Sequence, residues 1–177
     1  MNRVLLVLGF IAVCCLGACT KSSLYGSVQY KAQAKIDDSI VSKYIQSHGL
    51  TGVAKHVNNN DTIGVYYIVL DPGTGNTLFT NSTQVTVGDT AKLLTTAQVA
   101  FETNDFHPSY PLGSVIKAWQ LGIPQIKAGG EVRLLVPSRY AYGHFAHPEL
   151  GPEFGLTSGL PANAVLDFYI RLYNVTN

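Results

Sequence analysis

Cysteine is scarce in this chain and confined to one end of it. The three cysteines, Cys14, Cys15 and Cys19, all precede residue 20. No disulfide can therefore join two parts of the chain beyond that point, and a fold there must be stabilised by its hydrophobic core. The remaining length suits one domain with an extension, which is enough to bury a core of ordinary size.

Charge is also sparse and nearly balanced. Charged residues make up 13% of the chain, with 12 Lys and Arg against 11 Asp and Glu. The sequence has neither a basic stripe nor a polybasic patch, which argues against binding to nucleic acid and against electrostatic attachment to anionic lipid. We therefore expect no nucleic acid among the partners.

Motifs for covalent catalysis, phosphate binding and metal binding are missing as well. The chain has no Gly-x-Ser-x-Gly sequence, no phosphate loop and no Cys/His pair. His144, His147, Glu149 and Glu153 are spaced irregularly within a Gly- and Pro-rich segment, which is typical of a solvated loop rather than a metal site. The sequence thus predicts neither a metal nor a cofactor.

The start of the chain has the pattern of an export signal. Arg3 precedes an apolar run, Val4–Leu16, that is too short for a comfortable membrane span. The four residues ending at Cys19, Leu-Gly-Ala-Cys, resemble the bacterial lipobox, which implies removal of residues 1–18 and lipidation of Cys19. An uncleaved anchor or a plain secretory signal is the alternative interpretation.

The residue after Cys19 bears on the destination of the protein. Thr20, rather than Asp, follows the cysteine, which by analogy with lipoprotein sorting favours the outer membrane over retention in the inner membrane. We therefore expect a protein of the bacterial cell envelope, lipid-anchored through Cys19 and facing the periplasm, since several acyl chains hold a protein firmly.

Residues 19–60 are predicted to form a lipidated tether and a helix over 28–47. Apolar side chains recur at helical spacing in this helix, with Ser27 as a candidate cap and Gly49 as its end. The polar run of residues 58–61 indicates a boundary before a domain over 61–177. The apolar stripe would pack on that domain or on a partner helix, and it consists of Ala32, Ile36, Ile40 and Tyr44, widened by Val41 and Ile45.

Alternating sequences beyond residue 61 predict an antiparallel sheet. In the last strand, Leu166, Phe168, Ile170 and Leu172 point one way and the residues between them the other, so the sheet would have one buried and one wetter face. This pattern favours an α+β fold with the sheet wrapped around a single helix. The other predicted strands are 65–70, 84–94, 98–101 and 131–136.

That single helix is predicted directly after Gly113. Val115, Ile116 and Trp119 share one helical face, Ser114 is a candidate N-cap, and Gly122 a candidate end. This Val-Ile-x-x-Trp pattern resembles the FKBP-type peptidyl-prolyl isomerases, in which the helix forms the floor of a proline pocket.

A second segment near the end of the chain supports the same resemblance. Residues 159–175, GLPANAVLDFYIRLYNV, are similar to the closing Ile-Pro-x-x-Ala-x-Leu-x-Phe-x-x-x-Leu strand of the family, with Leu160 in the Ile place. The two motifs occur in the family's order, and the resemblance covers about residues 65–175. It implies an FKBP-like antiparallel sheet around one short helix, with the helix over 28–47 as an N-terminal extension.

The resemblance implies a peptidyl-prolyl cis-trans isomerase that needs no metal, cofactor or nucleophile. By carry-over from the family, Trp119 is the pocket floor, the Ile116 N–H is the donor to the substrate carbonyl, and Tyr142 is a phenol donor at the rim. The remaining residues that the resemblance assigns to catalysis or to substrate binding are Phe101, Glu102, Val115, Leu160, Phe168 and His147.

The sequence departs from the family pattern at three places. Glu102 stands where the family has Asp, and Asp89 stands where a pocket Tyr is expected, which adds a charge near an apolar site. The segment 143–159 is longer than the typical flap, with His147-Pro148 as a match for the family's rim His-Pro.

Two functions remain open at this point. The first is an isomerase that assists the folding of envelope proteins, with proline-containing polypeptides as clients and a macrolide of the FK506 type as a possible inhibitor. The second is a catalytically weak FKBP-like lipoprotein that binds proline-containing or unfolded segments. Asp89 and Glu102 favour the second, whereas Trp119, Ile116 and Tyr142 favour the first. The sequence leaves the oligomeric state open.

Overall fold

The computed structural model describes residues 26–59, 64–75, 78–103 and 106–177. The predicted signal peptide, Cys19 and the end of the predicted boundary at residues 60–61 lie outside the described residues. The chain divides into two compact units, Met1–Tyr30 and Lys31–Asn177. Of the first unit, residues 26–30 are described, and residues 27–30 form the first turn of a helix.

Seven strands of the described residues form one antiparallel sheet in the order β1-β2-β6-β7-β3-β4, with β5 paired to β3. This arrangement and the short helix against it confirm the predicted α+β fold. β5 pairs with the first residues of β3 and β4 pairs with its last residues. The strands are β1 (Lys55–His56), β2 (Tyr66–Asp71), β3 (Gln84–Leu93), β4 (Val99–Glu102), β5 (Ser109–Pro111), β6 (Glu131–Val136) and β7 (Leu166–Thr176).

Helix α1, Ser27–Ser47, begins and ends by recognisable hydrogen bonds. The prediction that Ser27 caps it is wrong, because the Gly26 N–H donates to Gln29 Oε1, which is half of a capping box. The predicted end is confirmed: Gly49 has a φ of 66°, and the Leu50 N–H donates to the Ile45 carbonyl at 2.9 Å, as in a Schellman motif. Within the described residues, no helix combines the length and apolarity that a membrane span requires.

Helix α1 packs on the sheet of its own chain. Its Val41 and Ile45 share a buried cluster with Leu94, Leu135 and Val165. The face of the sheet that the alternation predicted to be wetter is therefore partly covered.

The predicted stripe of α1 is displaced by one residue. Ile36, expected to be buried, is 52% exposed, whereas its neighbour Asp37 is fully buried. Asp37 lies at the interface because it accepts hydrogen bonds from Ser138, as described below. A buried polar side chain of this kind interrupts an apolar periodicity and displaces the stripe that the sequence predicts.

Helix α2, Lys117–Gly122, packs on the opposite face of the sheet with the larger core cluster. The prediction that Ser114 caps it is wrong, because Ile116 holds the cap position and Ser114 Oγ donates to the Pro111 carbonyl at 2.7 Å. Gly122 ends the helix as predicted. A Cβ on Gly122 would lie 2.5 Å from both Cδ atoms of Leu134, so glycine permits the close approach of α2 to β6.

Candidate functional site

A pocket of about 330 Å³ opens between α2, the strands β3, β4 and β5, and the turn that follows β6. Most of its walls are apolar or aromatic, and a few polar groups converge on it, as is usual for ligand sites. Six of the residues predicted for the site line this pocket. Its lining comprises Asp89, Phe101, Thr103, Tyr110, Ser114, Val115, Ile116, Trp119, Tyr142 and Leu150.

Aromatic rings build the floor and one wall. Trp119 is 6% exposed and meets Phe168 edge to face, with 5.7 Å between ring centroids. Phe168 is fully buried and also contacts Phe101, whose ring packs edge-on against Tyr142 at 5.9 Å. Predicted as a substrate contact, Phe168 instead lies behind the lining and supports Trp119 and Phe101. Among the described residues, none accepts a hydrogen bond from Trp119 Nε1.

The start of α2 presents a backbone donor to the pocket. The Ile116 carbonyl accepts the first helical hydrogen bonds, from Trp119 N–H at 3.0 Å and Gln120 N–H at 3.3 Å. None of the described residues accepts a hydrogen bond from the Ile116 N–H itself. Gln120 Nε2 donates to the Val115 carbonyl at 2.8 Å and thereby fixes the segment that leads into the helix.

The turn after β6 places Tyr142 at the rim of the pocket. Residues 138–140 form one 3₁₀ turn, and the Ser138 carbonyl accepts from the N–H groups of Ala141 and Gly143, at 3.0 and 2.8 Å. These bonds hold the residues on both sides of Tyr142. Burial, followed by the negative charge of Asp89, raises the pKa of the Tyr142 phenol to about 12. The phenol therefore keeps its proton at neutral pH and can donate it in a hydrogen bond.

Asp89 brings a carboxylate into this pocket from β3. The residue is 8% exposed, and burial raises the pKa of its carboxyl from 3.8 to about 6, with the Thr103 hydrogen bond opposing the shift and nearby Glu102 adding to it. Asp89 thus titrates close to neutral pH, in contact with the rest of the lining.

The structure corrects the expectation for Glu102. Its side chain is exposed and accepts a hydrogen bond from Thr90 Oγ1 at 3.2 Å, opposite it on β3, rather than lining the pocket. The reason is the alternation of β4: Phe101 faces the pocket, so the next residue faces away from it. The carboxylate of the pocket comes instead from Asp89, on the neighbouring strand.

Neither His147 nor Leu160 lines the pocket, although both were predicted to bind substrate. They form an isolated β-bridge through two backbone hydrogen bonds of 2.8 and 2.9 Å, and Leu160 is fully buried. His147 Nε2 lies 3.2 Å from the Tyr142 carbonyl, and Nδ1 lies 2.9 Å from Glu149 Oε1, a contact that raises the pKa of the His147 ring. Both residues therefore support the segment that carries Tyr142.

Four lining residues were not predicted. Thr103 follows Phe101 by two positions, so the period of a strand places both on one side, and this signal could have revealed it. Tyr110 lies on β5, where Pro108 and Pro111 obscure a strand of three residues. Ser114 was assigned to a cap, and Leu150 belongs to an irregular loop with no periodicity.

The sequence predicted no metal site in the loop that carries His144, His147, Glu149 and Glu153. Among the residues described, no group of three or more His, Cys, Asp or Glu side chains is placed to hold a metal ion.

Comparison with known proteins agrees with this geometry. The sequence model of the FKBP-type peptidyl-prolyl cis-trans isomerases matches residues 75–173, more than half of the chain. The chain belongs to this FKBP family. A peptidyl-prolyl cis-trans isomerase of Saccharomyces cerevisiae is 38% identical over 65 residues, which are 37% of this chain and 13% of that protein.

Other relatives match the FKBP domain over a greater length. FK506-binding protein 1 of Candida glabrata is 32% identical over 115 residues, covering 63% of this chain and 93% of that protein. A crystal structure of a peptidyl-prolyl cis-trans isomerase from Pseudomonas syringae pv. tomato superposes with a TM-score of 0.63 at 21% identity. That superposition covers 83% of this chain and 96% of the other, and it shows a shared fold.

Proposed function

We propose that this protein catalyses the cis–trans isomerisation of X-Pro bonds in polypeptides. The observation that carries the proposal is the pocket itself, in which a Trp119 floor, an unpaired Ile116 N–H and the Tyr142 phenol meet in one largely apolar cavity. Membership of the FKBP family supports it, as does the name of the relative from Saccharomyces cerevisiae.

Such a pocket suits the physical demands of the reaction. Amide resonance sets a barrier of about 18–20 kcal/mol to rotation about the peptide bond. No bond is made or broken, so the protein accelerates rotation if it binds the twisted amide more tightly than the planar one. The twisted amide has less charge separation on its carbonyl than the planar amide, and a water-poor cavity therefore favours it.

Each part of the pocket has a role in this mechanism. The prolyl ring packs on Trp119, between Val115 and Phe101. The Ile116 N–H donates to a neighbouring substrate carbonyl outside the rotating amide and holds the peptide in place while that amide rotates. The Tyr142 phenol, protonated at neutral pH, donates to the substrate from the rim. No proton leaves any of these groups during the reaction.

The biological setting that we propose is the bacterial cell envelope. The lipobox-like sequence ending at Cys19 supports lipid attachment of that residue, and Thr20 supports the outer membrane, with the domain facing the periplasm. The clients would be envelope proteins whose folding waits on proline isomerisation, which takes tens of seconds or longer without catalysis. A macrolide of the FK506 type would compete for the same cavity.

The charge of Asp89 favours a second candidate function, that of a catalytically weak binder of proline-containing or unfolded segments. An ionised carboxylate in the pocket keeps water near the amide and reduces the preference for its twisted form. The first function remains the main proposal because the floor, the backbone donor and the phenol are all in place.

A protease-coupled isomerisation assay with the full-length chain in mild detergent tests the proposal. We expect turnover within a series of short X-Pro peptides, and we expect Trp119→Leu to lower kcat/KM by at least about tenfold because the aromatic floor is lost. Tyr142→Phe removes only the donor and should lower kcat/KM less. Tyr173→Phe is the matched control, since Tyr173 is 44% exposed and does not line the pocket. A folded protein with no turnover, or equal turnover in all variants, would refute the proposed activity.

A further inference from the structure

We propose that Asp89 makes the pocket selective for polypeptides that carry lysine or arginine directly before proline. This inference rests on the proposed function, because it concerns the clients of the same pocket.

The carboxylate of Asp89 is poorly satisfied by its own protein. The short hydrogen bond at this residue belongs to its backbone, whose N–H donates to Thr103 Oγ1 at 2.7 Å. The same hydroxyl lies 3.4 Å from Asp89 Oδ1, the limit of a hydrogen bond, and 3.4 Å from the Asp89 carbonyl. The side chain, 8% exposed, thus has one long hydrogen bond and a lining position in the pocket.

No positive charge compensates this carboxylate. None of the described Lys, Arg or His side chains forms an ion pair with Asp89. Asp89 interacts electrostatically with three titratable groups, and none of them is a cation. They are Glu102 on β4, Tyr110 on β5 and Tyr142 after β6. His147 packs against the Tyr142 ring, and its two nitrogens contact Glu149 and the Tyr142 carbonyl.

A buried carboxylate without a partner is unfavourable unless something supplies the missing positive charge. A ligand that brings a cation into the pocket removes this cost, and the attraction is stronger there than in bulk water because the surrounding rings lower the local dielectric constant. A ligand with an aliphatic or acidic side chain leaves the cost in place or increases it. The uncompensated charge of Asp89 therefore favours the binding of polypeptides with a cationic side chain over those with a neutral or acidic one.

The residue before proline is the one placed to meet this charge. It shares the reacting amide with the prolyl ring that packs on Trp119. Its side chain therefore starts at the pocket, and the long stems of lysine and arginine can pack on aromatic walls while their charged ends reach Asp89.

Peptides that differ in one charge test the proposal on the full-length wild-type protein. The series is Ala-X-Pro-Phe, with lysine, Nε-acetyl-lysine, arginine, citrulline or glutamate as X. Binding is followed by the fluorescence of Trp119, the one tryptophan of the chain, and turnover by the protease-coupled assay. We expect lysine and arginine to be favoured at least about tenfold over acetyl-lysine and citrulline, with glutamate weakest. Equal affinity within each charged and neutral pair would overturn the proposal.

Two matched variants locate the effect. Asp89→Asn should abolish the preference for the charged peptides, whereas Glu102→Gln, which removes a carboxylate that faces away from the pocket, should keep the preference within about twofold. Loss of selectivity in Glu102→Gln alone would also overturn the proposal. Selective binding without turnover of any peptide would support the recognition proposed for Asp89 while refuting the isomerase activity, so the two failures are distinguishable.

Discussion

Asp37 of α1 holds Ser138 by two hydrogen bonds to a single carboxylate oxygen. Asp37 Oδ2 accepts from the Ser138 N–H at 2.9 Å and from Ser138 Oγ at 2.6 Å, while Gln33 Nε2 donates to Oδ1 at 2.7 Å. The Ser138 carbonyl in turn accepts from the N–H groups on either side of Tyr142. Through this relay, the helix on one face of the sheet positions a side chain of the pocket on the other.

Removing that carboxylate should destabilise the fold. In Asp37→Ala the Ser138 N–H and hydroxyl stay buried without an acceptor, so we expect the free energy of unfolding to fall by about 3 kcal/mol. Urea denaturation monitored by circular dichroism measures the change. Lys35→Ala is the control, since Lys35 is exposed on the same helix and its loss should change stability by about 0.5 kcal/mol or less. An equal effect of the two substitutions would show that the contact to Ser138 is unimportant.

Asp89 should make stability depend on pH in a predictable direction. In the folded protein the pKa of Asp89 is about 6, against an ordinary value of 3.8. The contribution of this group to the free energy of unfolding is therefore complete below about pH 4 and is lost as the pH rises through 6. Asp89→Asn removes the titration and should be more stable than wild type at pH 7, by up to about 3 kcal/mol. The two proteins should converge below about pH 4, and denaturant titrations between pH 3.5 and 7.5 measure both limits. A wild type that is the more stable of the two at pH 7 would contradict this.

The close contact of α2 with β6 gives a third prediction. Gly122→Ala should cost about 1–3 kcal/mol of stability, because its methyl group would overlap the Leu134 side chain. The double variant Gly122→Ala with Leu134→Val should lose less than the sum of the two single changes, because the shorter side chain makes room. Additive losses in a double-mutant cycle would mean that the two residues do not compete for the same space.

Lipid attachment predicts the fractionation of the full-length protein. Cys19→Ser removes the acceptor of the lipid and should move the protein from the membrane fraction to the soluble fraction, since the proposed acyl chains are its only attachment. Immunoblotting of separated fractions measures this. Cys15→Ser, within the predicted signal peptide, is the matched control and should leave the protein with the membrane. Persistent membrane association of Cys19→Ser would exclude the lipid anchor at that residue.

Sequence periodicity predicted the regular parts of the sheet well. The strand predicted over residues 131–136 coincides with β6, because alternation and turn residues agree at both of its ends. β7 continues to Thr176, beyond the alternation that ended at Leu172, because its partner β3 keeps pairing as far as Gln84. Pairing with β3 therefore extends β7 beyond the residues in which apolar and polar side chains alternate. β1 was missed since two residues are too few for a period to appear.

The family motif assigned Trp119 and Ile116 to the site, and both line the cavity because they lie on one contiguous helical segment. It also assigned Asp89 to the pocket, which Asp89 lines, whereas Glu102, assigned with it, does not line the pocket. Glu102 follows Phe101 directly in β4, so the two side chains lie on opposite faces of the strand and only Phe101 lines the pocket. The family motif assigned both neighbours to the site, although strand alternation lets only one of them face it.

The contact between Asp37 and Ser138 spans 101 residues of sequence, and the cluster around Val41 includes Val165, the residue before β7. During synthesis, the helix therefore emerges long before the strands on which it packs. The turn that carries Tyr142 is held by α1 only after Asp37 and Ser138 have met, and such long-range contacts form late and at the expense of chain entropy. This protein, which we propose accelerates the folding of others, thus completes its own binding site only when nearly its whole chain has been synthesised.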